Sequence, residues 1–230
     1  FRRAAGEARP WALVGHSMGA LVARSYVEDT RGDGRDVSAL IMIGPVNRGA
    51  SLAKVQTLYQ LLNGIQSVGG RKASDPLVHL GDGLGKSAED ILPGSAFLTA
   101  LNRRPRRAGV PYHILAGDVG VLSASARRQV EAQLETWKRQ GGILGGVMAR
   151  LAGGDDLAGR LDELSDGLGD GCVSVARTRL EGVTDHVVIH ANHAELIRAP
   201  LLFPDPGPVA CMPYLLRWLA APTDTAARKP

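Results

Sequence analysis

The chain has 230 residues with 27 Lys and Arg against 23 Asp and Glu, a formal charge of +4, and its length suits one sizeable domain burying roughly 70% of its unfolded surface. The basic residues are scattered apart from Arg103-Arg104-Pro105-Arg106-Arg107, which reads better as exposed loop charge than as a footprint for nucleic acid or anionic lipid. The 3 Trp, 4 Tyr and 3 Phe do not interleave with those charges, so nucleic-acid binding gains no support, and no apolar run reaches the ~18 residues of a membrane span.

Residues 1–10 are polar and helix-compatible. Trp11 to Val14 then reads as a buried strand, followed by Gly15-His16-Ser17-Met18-Gly19 and a helical stretch with Leu21, Val22, Ser25 and Tyr26 at the spacing of one face. A G-x-S-x-G between strand and helix is the context of a nucleophile elbow, a turn so sharp that strand and helix nearly touch and the positions two before and two after the serine must be small. Gly15 and Gly19 fill those positions. Ser17 is thereby the candidate nucleophile, and the Met18 N–H, at a positive helix end, is the candidate oxyanion donor. The plainer alternative is a Gly-Ser turn capping an ordinary helix. His16 should point away from the serine and serve packing or hydrogen bonding.

Thr30-Arg31-Gly32-Asp33-Gly34-Arg35 is a turn, and Ala39 to Ile43 a second buried strand ending in Gly44-Pro45, so that strand, helix and strand form a parallel βαβ unit. Leu52, Val55, Leu58, Tyr59, Leu62 and Ile65 recur at helical spacing opposite a mildly polar face. The 52–68 stretch fits either a lid over a lipid-binding cleft or a core-covering helix. Residues 69–95 read as loop, and Gly81-Asp82-Gly83-Leu84-Gly85 as turn chemistry rather than a calcium site. A short helix over Ser95 to Leu101 and a third strand over Pro111 to Gly117, ending at Asp118, come next.

Residues 122–165 hold three amphipathic stretches, marked by Val130, Leu134 and Trp137, by Ile143, Val147 and Leu151, and by Leu157, Leu161 and Leu164. They suit a helical insertion over the site or plain scaffold helices. Then come Gly169-Asp170-Gly171 before Val173-Ser174-Val175, a strand over His186 to His190, and Ala191-Asn192-His193-Ala194-Glu195-Leu196-Ile197. A proline-rich loop covers Pro200 to Pro208, a closing helix runs from Val209 to Ala221 with Leu215, Leu216 and Leu219 facing inward, and 222–230 is a frayed tail. One domain over 1–221 follows. Cys172 and Cys211 fit one disulfide or two buried thiols, which leaves the compartment open.

A serine hydroxyl needs a base, and the base needs an acid to hold its tautomer. On hydrolase sheets the order is serine, acid, histidine, with acid and base on loops past the carboxyl ends of strands. His193 follows the last strand and opens a helical turn; His186 is at that strand's wrong end and His190 barely past it. Asp170, in a Gly-Asp-Gly loop, is the preferred acid, with Asp118 second and Asp166 third; an ordinary Asp-Gly turn is the alternative for Asp170.

These residues together, Gly-His-Ser-Met-Gly with Leu21-Val22-Ala23-Arg24, Gly44-Pro45-Val46-Asn47-Arg48-Gly49-Ala50-Ser51, Gly169-Asp170-Gly171 and Asn192-His193-Ala194-Glu195-Leu196, resemble the lipase and esterase branch of the α/β-hydrolases, which includes relatives of lecithin:cholesterol acyltransferase. The resemblance runs from Trp11 to about Arg198. It implies an α/β-hydrolase fold with a mostly parallel sheet and a Ser17, Asp170, His193 triad. It also implies hydrolysis of carboxylic esters, lipid-like in character, or acyl transfer, through an acyl-enzyme without organic cofactor; the residues name no metal ligands. A lipid O-acyltransferase and a non-catalytic hydrolase-fold binding domain are the alternatives. Two departures stand out. Relatives carry Thr-Pro-His-Arg-Gly-Ser after the second strand where Asn47 and an extra alanine stand here. Further strands and a second oxyanion loop are also expected ahead of Trp11. The expected partner is a small-molecule ester or lipid, with peripheral membrane contact open and oligomeric state unread.

Overall fold

In a computed structural model of the chain, residues 10–29, 36–51, 87–140, 157–198 and 208–220 are described. Four strands, β1 (Trp11–His16), β2 (Val37–Ile43), β3 (Tyr112–Gly117) and β4 (His186–Ile189), make one sheet in the order β1-β2-β3-β4. All three pairings are parallel, with Val14 opposite Ile41, Leu40 opposite Tyr112 and Ile114 opposite His186. The cause is in the strands themselves. Leu40, Ile41, Met42 and Ile43 are each at most 2% exposed, and a run apolar on both faces is stable only where both faces are covered, as in a parallel sheet.

Alternation along β2 divides the core. Leu40 and Met42 pack with Ala20, Val27 and Ile114 on one side, while Ile41 and Ile43 pack with Leu115, Ala191, Leu196 and Trp218 on the other. Burial of each large side chain contributes about 1.5–3 kcal/mol. The first layer is led by α1 (Met18–Val27). Shorter elements follow: α2 (Ser87–Asp90) and α3 (Ala96–Asn102), whose first turn is capped by Ser95 Oγ accepting from the Leu98 N–H at 3.2 Å. After β3 come α4 (Ala124–Gln140), α5 (Leu157–Leu164) and α6 (Val175–Thr178), and after β4 comes α7 (Met212–Ala220), which covers the second layer. A parallel sheet with helices between successive strands, and a strand-turn-helix elbow after β1, is an α/β fold of the α/β-hydrolase kind.

The structure corrects four details of the sequence pattern. On α1 the buried residues are Ala20, Leu21, Arg24 and Val27, whereas Val22 and Tyr26 are 64% and 57% exposed. The inward stripe is rotated because Arg24 brings its partners with it: its guanidinium reaches Glu28, Asn47 Oδ1, Asn102 Oδ1 and the Leu101 carbonyl. Burial lowers the Arg24 pKa and raises that of Glu28, and the pair opposes both shifts. On α7, Leu216 and Leu219 face outward and Trp218 faces in, its ring stacked on His113 at 4.9 Å. Val14 in β1 is 48% exposed rather than buried, since β1 has a described neighbour on one side only. Gly19 faces open space, so close approach requires a glycine at Gly15 and not there.

Cys172 and Cys211 are both buried and free, which decides between the two cysteine alternatives. No helix among the described residues is long and apolar enough to cross a membrane. The 52–68 stretch, Gly81 to Gly85, the middle amphipathic stretch at 143–151 and the 222–230 tail lie outside the described residues.

Candidate active site

Ser17 sits where β1 hands over to α1, at φ 54° and ψ −126°. Among the described residues it is the one non-glycine with positive φ, a conformation costing about 1–3 kcal/mol that persists where the surroundings enforce it. They do so from two sides. The Ser17 N–H donates to the Ile43 carbonyl at 2.9 Å, extending the β1–β2 ladder by one step. A Cβ at Gly15 would lie 2.6 Å from the Ala20 Cα, so only a glycine lets strand and helix approach this closely. Although Ser17 occupies the N-cap position, its side chain makes no cap hydrogen bond. The Ser17 hydroxyl is therefore not spent on capping the helix. Met18 is the first helical residue, and its N–H belongs to the first turn, whose donors lack intrahelical acceptors.

Asp170 and His193 meet over the carboxyl ends of β3 and β4. The Nδ1 of His193 lies 2.7 Å from Asp170 Oδ2, and the backbone N–H of His193 donates to the Asp170 carbonyl at 2.9 Å. Asp170 Oδ1 accepts the N–H groups of Cys172 at 3.0 Å and Val173 at 2.9 Å. A carboxylate accepting from two amides can only accept again, so Nδ1 carries the proton and Nε2 is the free lone pair. Neither Nε2 of His193 nor Oγ of Ser17 is hydrogen-bonded among the described residues. Asp170 is 1% and His193 3% exposed; the carboxylate is buried but fully bonded.

Two glycines make room for this pair. At Gly117, the end of β3, a Cβ would fall 3.0 Å from the Asp170 Cβ and 2.3 Å from the Ala191 carbonyl. At Gly44, just past β2, it would fall 3.0 Å from Cε1 of His193, and Gly44 adopts φ 51°. The imidazole thus rests against the residue that follows Ile43, the acceptor of the Ser17 N–H. His16, beside Ser17, closes the circuit from the other side: its Nε2 is 3.1 Å from the His193 carbonyl and the two rings are 4.6 Å apart. Elbow and base are joined through His16 and through the Ser17 N–H bond to Ile43, whose neighbour Gly44 lies against the imidazole.

The other candidates fall elsewhere. Asp118 pairs with exposed His190 at 3.0 Å, Asp166 is exposed, and His186 bonds the Thr178 hydroxyl at 2.8 Å. Asn47 is fully buried; it accepts from Arg24 and donates to the Thr178 carbonyl at 2.8 Å. Asp170, Cys172 and His193 hold one potential ligand atom each within 4.8 Å. They suit a metal poorly. Nδ1 and Oδ2 are taken by their mutual bond, and burial, with Asp170 and Glu163 nearby, pushes the Cys172 thiol well up, so it offers no thiolate.

One feature of the site has no signal in the sequence. Glu163 on α5, fully buried, accepts both from the Ser51 N–H at 3.1 and 3.0 Å and from Arg177. Its own carbonyl accepts the Gly171 N–H at 2.9 Å. The Glu163–Arg177 pair therefore ties the Asp170 loop to the loop after β2. Glu163 reads as one more charge on an amphipathic helix, because its partners lie far along the chain.

No family model and no curated protein matches the chain. Among solved structures, it is similar to the propeptide form of Bacillus licheniformis lipase BlEst2, at 21% identity and a TM-score of 0.48 over 93% of this chain and 37% of that one. The mature form of the same lipase gives 18% identity and 0.43, over 84% of this chain and 61% of that one. Phospholipase PlaB from Legionella pneumophila gives 19% and 0.38, over 75% and 29%. The chain spans less than two thirds of the length of these neighbours, which are lipolytic hydrolases by name.

Proposed function

We propose that the chain is a serine hydrolase that cleaves carboxylic esters through an acyl-enzyme, with Ser17 as nucleophile, His193 as base and Asp170 as the acid that orients it. The observation that carries this is the Asp170–His193 pair at 2.7 Å, with Nε2 unengaged and a strained, uncapped Ser17 one hydrogen bond from the strand end against which the imidazole rests. In the forward step His193 Nε2 takes the Ser17 proton as Oγ attacks the ester carbonyl. Asp170 holds Nδ1–H and stabilises the imidazolium, while the Met18 N–H faces the developing oxyanion. The imidazolium then gives its proton to the leaving alkoxide, and a water activated by the same ring releases the acid.

Release of p-nitrophenol from p-nitrophenyl esters of increasing acyl length tests this, with and without an added acceptor alcohol. Turnover by the wild type that disappears in Ser17→Ala supports the proposal, and a rate rising with acyl length points to lipid-like esters. Product captured mainly as the acceptor's ester makes the chain a transferase. No turnover on any ester favours a hydrolase-fold binding domain and overturns the proposal.

A further inference from the structure

His16 is the side chain next to the candidate nucleophile that the mechanism above does not use, and it is neither at the surface nor in a core cluster. Its Nε2 lies 3.1 Å from the main-chain carbonyl of His193, and since a carbonyl only accepts, Nε2 carries the proton. Its ring packs on the His193 ring at 4.6 Å between centroids, tilted by 42°. From this geometry we infer that His16 is a positioning residue for the base: it fixes the His193 backbone and ring to the elbow that carries Ser17. The inference rests on the hydrolase proposal for what the positioning serves, though not for the contact itself.

The chemistry favours a neutral histidine here over a lysine or arginine, which could also donate to the carbonyl. During ester cleavage His193 becomes an imidazolium, and a permanent cation stacked on it would oppose that charge as it forms. The groups facing His16 are the His193 ring from the loop after β4 and the Asp170 carboxylate behind it. Burial, then the His193 charge, lowers the His16 pKa to about 4, against the weaker opposing pull of its bond to His193 and of Asp170. Across the neutral range His16 therefore donates one proton and carries no charge. A residue of this kind affects the chemical step more than substrate binding, because it sets where Nε2 of His193 stands relative to Ser17 Oγ.

Two substitutions in the full chain separate the donor from the ring. His16→Phe keeps an aromatic face and removes the donor, while His16→Gln removes the ring and retains an N–H that reaches the carbonyl. With p-nitrophenyl acetate, His16→Phe is expected to lower kcat about tenfold with KM nearly unchanged, and His16→Gln to restore most of kcat. A second readout needs no turnover: the proton NMR signal of the His193 Nδ1–H shared with Asp170 should broaden by exchange in His16→Phe and remain in His16→Gln. Wild-type kcat and an unaltered Nδ1–H signal in His16→Phe would overturn the inference. So would a loss of kcat in His16→Gln that His16→Phe does not share, which makes the ring a packing element only. If the wild type releases no p-nitrophenol, the hydrolase proposal fails while the Nδ1–H signal still decides whether His16 holds His193.

Discussion

Replacing Asp170 by Asn tests the chemistry at its most informative atom, because the change is nearly isosteric and its effect on His193 is a matter of proton placement. The Asn carbonyl oxygen can keep the Cys172 and Val173 N–H bonds now made by Oδ1, at 3.0 and 2.9 Å. The amide NH2 then stands where Oδ2 stood, 2.7 Å from Nδ1. Two donors cannot share that contact, so Nδ1 must lose its proton and the ring moves to the tautomer protonated on Nε2. The nitrogen needed to accept the Ser17 proton is then occupied, and the imidazolium loses its counter-charge. A change of this type costs on the order of 10,000-fold in kcat, about 5 kcal/mol of barrier. KM should hardly move, since Asp170 acts only through Nδ1 of the imidazole. The assay is steady-state p-nitrophenyl ester hydrolysis beside a urea unfolding curve, in which the lost charged hydrogen bond lowers stability by about 1–3 kcal/mol. A folded Asp170→Asn protein with kcat within about tenfold of the wild type would refute the reasoning.

Glu163→Gln leaves Arg177 beside a neutral amide and weakens the clamp on Ser51; the midpoint of chemical unfolding should fall by the equivalent of about 3 kcal/mol, and a loss below about 1 kcal/mol would contradict a structural role. Gly15→Ala forces a Cβ to 2.6 Å from the Ala20 Cα and should abolish both stability and activity, while Gly19→Ala meets open space and should leave the melting temperature equal or slightly higher; equal behaviour of the two would deny the close approach at the elbow. The depressed pKa of His16 also sets a pH dependence. Below the ordinary value of 6.5 the unfolded chain takes up a proton that the folded chain refuses until about pH 4. Stability should thus decline as pH falls through that window, by roughly 1–3 kcal/mol from this group, and the decline should be shallower in His16→Phe, as read by unfolding curves from pH 7 to pH 4.

Local features were the legible ones. Ala39 to Ile43 is apolar at every position, which only a strand covered on both faces explains, and Gly15, two residues before Ser17, marks where β1 and α1 must touch. The sequence prefers Asp170 over Asp118 and Asp166 as the partner of His193, and the Asp170 and His193 side chains do meet; their roles rest on the experiments above. Long-range partnerships were not legible. Arg24 looks like a polar-face residue of α1, yet it is buried because Leu101 and Asn102 come to it. Glu163 meets Ser51 from 112 positions away in sequence. Both α1 and α7 carry apolar residues around more of their circumference than one face can bury. Periodicity therefore could not choose between Val22 and Val27, or between Leu219 and Trp218; the contacts with the sheet make that choice.

The most direct test is covalent. Incubation with a fluorophosphonate, followed by peptide mapping by mass spectrometry, should place one stoichiometric adduct on Ser17, lost in Ser17→Ala and nearly lost in His193→Ala because the hydroxyl then has no base. An adduct on another residue, or labelling of Ser17 that proceeds unchanged without His193, would contradict the account.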